Sequence, residues 1–190
     1  MGSKFDKVIN NILKVYKGIS LSDLDVLKLV KNQAKVLLYK DLKKYRTLDE
    51  ALGPHGAAII LYESRPGYGH WTTVFKRKDK KGETVISFFD SYGEFTDDEL
   101  YWNDRNTNTY LGQEIPYLSK LIIESPYENL EYDDHQYQKF EKGVATCGRW
   151  VVLRLLCRGL SPEKFRELFG YARSDDLVTL ITELLNSTSY

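Results

Sequence analysis

The chain has 190 residues and a formal net charge of zero, with 27 Lys and Arg against 27 Asp and Glu. That balance excludes a protein dedicated to coating nucleic-acid phosphates, which needs a surplus of cations, and an aromatic share of 13% excludes a disordered chain. The length is that of one ordinary domain, so residues 1–190 are read as a single unit. Its longest wholly apolar run is Ala57–Tyr62, and Arg154 interrupts the next best. Both fall far short of the roughly 20 residues that span a bilayer, so no membrane segment is expected.

The first third has helical spacing. Lys4–Lys17 places Val8, Ile9, Ile12, Leu13 and Tyr16 on one face, and Gly18 ends it. Ser22 with Asp25 forms a capping-box-like start to a second amphipathic stretch, read as helix toward Tyr45. A short helix at Thr47–Leu52 is stopped by Gly53-Pro54. The period then changes. Ala57–Glu63, His70–Lys76 and Thr84–Ser91 are rich in β-branched and aromatic residues and predict three strands, the last two a hairpin closed at Lys81-Gly82. A helix within Gln113–Lys120 and a fourth strand at Leu121–Ser125 are expected next. The polar, weakly periodic stretches 93–112 and 126–143 are read as long loops, which in a compact domain are often functional. Helices follow at about Thr146–Arg158, after the Ser161-Pro162 cap, and at Asp175–Leu185. Helices, then strands, then helices describe an α+β domain, with a helical part at 1–52, a core at 57–158 and C-terminal helices at 159–190.

Three places carry candidate chemistry. Gly67-Tyr68-Gly69-His70-Trp71 delivers a histidine to a strand start, Phe88-Phe89-Asp90-Ser91-Tyr92-Gly93 ends a strand in a carboxylate, and Thr146-Cys147-Gly148-Arg149-Trp150 puts a cysteine where a polar loop becomes a helix. The N–H groups and dipole of a helix start favour thiolate, the nucleophilic form. His70 is suited to take the thiol proton, and Asp90, 20 residues later, is far enough along for a hairpin return to bring it beside the imidazole. Gly148 leaves room for a carbonyl against the Cys147 N–H, and Gln138, nine residues before the cysteine, is a suitable second oxyanion donor.

Other readings stand beside this one. Cys157 is read as a small buried hydrophobe, His55 as a loop residue, and His135 as solvated, or as the base in place of His70. The two cysteines lie ten residues apart on one expected helix, about 15 Å and beyond disulfide reach, which fits a reducing, intracellular setting. The residues preceding the first apolar stretch include Lys4, Asp6 and Lys7, unlike a secretory signal. The three histidines are scattered and no Cys/His pair has ligand spacing, so no metal is expected, and no Gly-Lys-Ser/Thr follows Gly67–Gly69, so neither is a phosphate loop. The cluster Lys76–Lys81 is read as a solvated hairpin tip rather than a polyanion site.

The order His-Trp, Asp-Ser, Gln, Cys-Gly over about residues 57–158 resembles the adenain-like and SUMO-protease-like cysteine proteases. Gly69-His70-Trp71, Phe89–Gly93 and Thr146–Trp150 look most like the maturation proteases of virophages and Maverick/Polinton-type elements. The resemblance implies a papain-like core in permuted order, with a small mixed sheet flanked by helices. It implies His70 as base, Asp90 as orienter, Cys147 as nucleophile, Gln138 in the oxyanion hole with Gln136 as fallback, and Trp71 as the wall of a channel for small residues. Gln138 lies further from the cysteine than is usual in that family, and Arg149-Trp150 replaces the aliphatic-aromatic pair of cellular members. The expected activity is a thiol endopeptidase of the host cytoplasm or virion that trims capsid precursors, without a bound cofactor. A peptide activator is consistent with the resemblance. Alternatives are a deconjugating protease for ubiquitin-like modifiers, an acyltransferase of the related effector type, and a non-enzymatic interaction module.

Overall fold

The computed structural model describes residues 4–171 and 174–187. Its elements in chain order are α1 (Lys4–Lys17), α2 (Asp23–Leu29), β1 (Lys35–Leu38), α3 (Leu48–Leu52), β2 (Ala57–Arg65), β3 (Tyr68–Lys78) and β4 (Thr84–Phe89). They continue with α4 (Arg105–Leu111), α5 (Tyr117–Ile123), β5 (Leu130–Glu131), α6 (Cys147–Leu156), α7 (Pro162–Phe169) and α8 (Ser174–Ser187). Short 3₁₀ turns cover Tyr39–Lys44 and Asp98–Trp102. The result is the expected α+β domain, with one five-stranded mixed sheet flanked by helices.

The strands lie in sequence order across the sheet. The β2–β3 and β3–β4 pairs are antiparallel hairpins, while β1 joins β2 and β5 joins β4 in parallel. Both faces are covered, which explains why β2 is apolar without alternation. Ala58, Ile60 and Tyr62 pack toward α5 and the Tyr39–Lys44 turn, whereas Ala57, Ile59 and Leu61 pack toward α2 and α6. The latter cluster holds Trp71, Cys147 and Val151, so the face of the sheet that carries Trp71 is the one on which α6 lies.

Several local expectations match closely. Ser22 and Asp25 form a reciprocal capping box on α2, Thr47 caps α3, and Ser161 caps α7 with Pro162 in its first turn. The β3–β4 turn closes through Gly82, whose φ is 81°. Three expectations are corrected. The helix begun at Ser22 does not run toward Tyr45: it stops at Leu29, because Lys31 and Asn32 take positive φ, and Lys35–Leu38 becomes an edge strand. Leu121–Ser125 is not a strand. The helix that starts after Pro116 continues to Ile123, burying Leu118, Leu121 and Ile122 at helical spacing, and the fifth strand is Leu130–Glu131. The segment 93–112 is not all loop, since it holds the turn Asp98–Trp102 and α4, capped by Asp104.

Two glycines are dictated by contact. A Cβ on Gly69 would stand 1.8 Å from the Tyr62 carbonyl, beside the irregularity in β2 between Glu63 and Arg65. Gly93 has φ 80°, and a Cβ there would lie 2.5 Å from the Asp134 carbonyl. These positions let the strand leading to His70 and the corner after Asp90 approach their neighbours closely.

Candidate active site

The pairing of β3 with β4 sets the first contact. Thr73 lies opposite Phe89, so the continued register puts Asp90 opposite Thr72, on the same face as His70 and one diagonal step away. His70 Nε2 meets Asp90 Oδ2 at 2.5 Å, with both side chains buried. Asp90 Oδ1 accepts the Tyr92 backbone N–H at 2.5 Å, which pins the carboxylate at the strand end. With Nε2 committed to Asp90, Nδ1 is the nitrogen left for Cys147, which lines the same cleft as His70.

Cys147 is the first residue of α6 and is 7% exposed. Burial alone would push its thiol up. The hydrogen bond and charge of His70, aided by the N–H groups of Trp71 and Gly148, outweigh that and hold it below the ordinary thiol value. For His70 burial alone would lower the imidazole. The charge and hydrogen bond of Asp90, followed by those of Cys147, instead raise it well above its ordinary range. Burial would raise Asp90, but the charge and hydrogen bond of His70, with the Tyr92 N–H, keep it low. All three shifts run in the directions that favour a thiolate–imidazolium pair backed by a carboxylate.

Gln138 docks on the corner after Asp90. The Ser91 carbonyl accepts the N–H groups of both Tyr137 and Gln138, each at 2.9 Å. The Gln138 side chain is held at both ends: Oε1 accepts from Ser91 Oγ at 2.9 Å and Nε2 donates to Tyr92 OH at 3.0 Å. A primary amide has two N–H bonds, so one remains for a ligand in the cleft that Gln138 lines with His70 and Cys147. Gln136, by contrast, is exposed and donates to the Gln138 carbonyl. It supports the loop rather than facing the cysteine.

The cleft at Cys147 has a volume of about 210 Å³. It adjoins a second cavity of about 420 Å³ walled by Leu21, Leu38, Leu61 and Trp71, the two sharing Ser20, Tyr68 and Gly69. Trp71 is buried, donates Nε1–H to the Leu21 carbonyl at 3.1 Å, and stands 3.2 Å from where a Cβ on Gly148 would be. Any side chain in place of Gly148 would therefore press on that ring.

Sequence reasoning missed several neighbours. Tyr92 stacks on the His70 ring at 4.8 Å, Trp102 meets it at 5.1 Å, and Phe140 stacks on Tyr92 at 3.9 Å. Together they screen the imidazole from solvent. Burial, with the charges of Cys147 and Asp90, pushes Tyr92 up to about 12. Asp175 on α8 accepts Thr146 Oγ1 at 2.6 Å, Trp150 Nε1 at 3.1 Å and the Lys139 N–H at 3.0 Å. One buried carboxylate thus ties the residue before Cys147 to the residue after Gln138. His135, the alternative base, lies edge-on to Tyr137, and His55 is an exposed loop residue whose carbonyl takes a bond from Arg158. Cys157, expected as a buried hydrophobe, is half-buried beside the apolar cluster of Trp150 and Phe165.

His70, Asp90 and Glu99 offer donor atoms that all lie within 4.8 Å of one another, a grouping that Cys and His spacing alone cannot reveal. Ligands of a tetrahedral ion stand roughly 3.4 Å apart. The 2.5 Å contact between His70 and Asp90 is too tight for shared coordination and suits a shared proton. No helix among the described residues is long and apolar enough to cross a membrane.

No protein-family model matches the sequence. It is similar to the uncharacterized protein V9 of Sputnik virophage, with 39% identity over 176 residues that cover 90% of this chain and 98% of the relative. The match spans nearly the whole of both chains, and on it this protein belongs to the family of that virophage protein.

Proposed function

We propose that this protein is a cysteine endopeptidase that processes virion precursor proteins, with a papain-like site in permuted chain order. The observation that carries the reading is a single imidazole, His70, placed between the carboxylate of Asp90 and a cysteine at the first residue of a helix. That constellation is the general design of an activated thiol nucleophile, with a base within reach and the base oriented by a third group. The relation to a virophage protein supports a role in a viral setting.

In this reading the Cys147 thiolate attacks the scissile carbonyl carbon. The carbonyl oxygen gains the negative charge and takes hydrogen bonds from the free Gln138 Nε2–H and the Cys147 N–H, which at the first helical position has no intrahelical partner. The imidazolium of His70 gives its proton to the leaving amine as the C–N bond breaks. Water, deprotonated by the now neutral His70, then hydrolyses the thioester and returns the thiolate–imidazolium pair. Gly69, which lines both cavities, and Trp71, which walls the second, support small residues on the acyl side of the cut.

Co-expression with a capsid precursor is the test. The wild-type chain should cut the precursor, and Cys147→Ala should abolish the cut while leaving the fold intact. Persistent cleavage by Cys147→Ala refutes the nucleophile, and an intact precursor with the wild-type chain refutes that substrate class.

A further inference from the structure

Glu99 lies in the turn Asp98–Trp102 and is 2% exposed. No N–H or O–H donor of a described residue reaches either of its carboxylate oxygens, and both oxygens are buried. An ionised carboxylate in that position would carry a heavy uncompensated desolvation cost. One of its oxygens lies with one oxygen of Asp90 and a nitrogen of His70 inside the 4.8 Å grouping described above, and two buried carboxylates that close resist ionising together. Asp90 has the donors, His70 Nε2 and the Tyr92 N–H, so Asp90 takes the charge and Glu99 keeps a proton. The groups facing Glu99 are Asp90 and His70 at the sheet end and Tyr62 on β2, whose hydroxyl is turned away to Asp97 at 2.9 Å. That leaves Asp90 as the acceptor for the Glu99 proton.

We infer that Glu99 is a positioning residue for the candidate triad, a neutral carboxylic acid whose O–H bond to Asp90 holds the carboxylate that orients His70; the role rests on the peptidase reading above. The segment that carries it is built for placement. Asp97, two residues earlier, accepts the hydroxyls of Tyr39 at 2.7 Å and Tyr62 at 2.9 Å and the Ser119 N–H at 2.8 Å, which anchors the turn to β2 and α5. Burial, reinforced by the charge of Asp90, raises Glu99 well above the ordinary carboxylate range, in keeping with this geometry.

Two measurements that need no peptide substrate test the role. The first is urea unfolding of wild type and Glu99→Gln across pH. A group raised in the folded state contributes stability that is lost as pH rises through its folded value. Wild type should therefore lose stability relative to the non-titrating Glu99→Gln as pH climbs above the ordinary Glu range, the folding constant falling by up to about tenfold per pH unit. Parallel curves would mean that Glu99 is ionised in the folded protein and would overturn the proposal.

The second is the rate of Cys147 alkylation by iodoacetamide. Glu99→Gln, which can still donate to Asp90, should keep the wild-type rate and pH profile. Glu99→Ala should label about ten- to a hundredfold more slowly near neutral pH, the worth of a hydrogen bond to a charged group. An unaffected Ala variant, or a Gln variant as slow as Ala, would overturn the role. Should the Ala variant fail to fold, the Gln comparison decides alone. Absence of peptidase activity in the wild type would refute the function proposed above and leave both measurements readable.

Discussion

The two ends of α6 each carry a cysteine, and the physics treats the two thiols in opposite ways. Cys147 opens the helix and Cys157 caps its end, and burial pushes both thiols up. At Cys157 a guanidinium, Arg154, opposes burial without overcoming it, and the thiol stays above its ordinary value. At Cys147 the balance reverses, because His70, with the nearby N–H groups of Trp71 and Gly148, favours the charged thiol enough to outweigh burial. A nearby guanidinium alone does not lower a buried thiol here. An imidazole beside the first residue of a helix does.

The sharpest way to break this contrast is His70→Ala. Cys147 would then be a buried thiol without its base, and its alkylation at neutral pH should fall by roughly 10²–10⁴, toward the rate of Cys157. The pH profile carries the same information in the wild type. A lowered folded value means that Cys147 should hold its reactivity to lower pH than an ordinary thiol, while Cys157, raised, should need higher pH to react. Equal rates at the two cysteines would sink the catalytic reading of the helix start.

Next in size is Gln138→Ala. Its amide touches Ser91 and Tyr92 rather than the sulfur, so thiol alkylation should hardly move, while kcat on a peptide should drop by roughly 10²–10³ if the free N–H serves the oxyanion. A parallel fall in both would show that Gln138 instead holds the triad together. Asp175→Ala follows. It orphans the Thr146 hydroxyl, the Trp150 indole N–H and the Lys139 amide, and should cost about 3–5 kcal/mol of stability in urea unfolding. A cost below about 1 kcal/mol would mean that water replaces the carboxylate easily.

What could be read from the sequence divides along the same line. His70, Asp90 and Cys147 were legible because each sits at the start or end of a strongly patterned element, and the period-two geometry of a hairpin fixes which residues share a face. Gln138 was legible as a residue type at a distance, and the two hydrogen bonds that choose it over Gln136 depend on Ser91 and Tyr92 across the fold. Strand β1 was hidden, since Lys35–Leu38 is only four residues long and continues an apolar pattern that also suits a helix. Leu121–Ile123 misled in the opposite sense, because adjacent β-branched residues look like strand until Leu118, Leu121 and Ile122 are seen burying one helical face. Glu99 left no local signal at all. An acidic residue in Thr96-Asp97-Asp98-Glu99 reads as solvated, and the two tyrosines that draw Asp97 inward, 35 and 58 residues away in sequence, help bring Glu99, two residues on, to His70 and Asp90.

The smallest expected effect completes the comparison. Cys157 packs at the edge of the cluster formed by Phe89, Trp150 and Phe165, half-buried, and its carbonyl accepts from Arg154 Nη1 at 3.1 Å. That bond belongs to the backbone and survives Cys157→Ala, so only the sulfur's packing is lost. Deleting one partly exposed atom of that size should cost about 1 kcal/mol or less. The variant should label at Cys147 alone, in a single phase with the wild-type rate constant. A slower Cys147 in Cys157→Ala would show that the far end of α6 governs the near end through the helix itself, and the difference between the two thiols would then be a property of the whole element rather than of its first residue and His70.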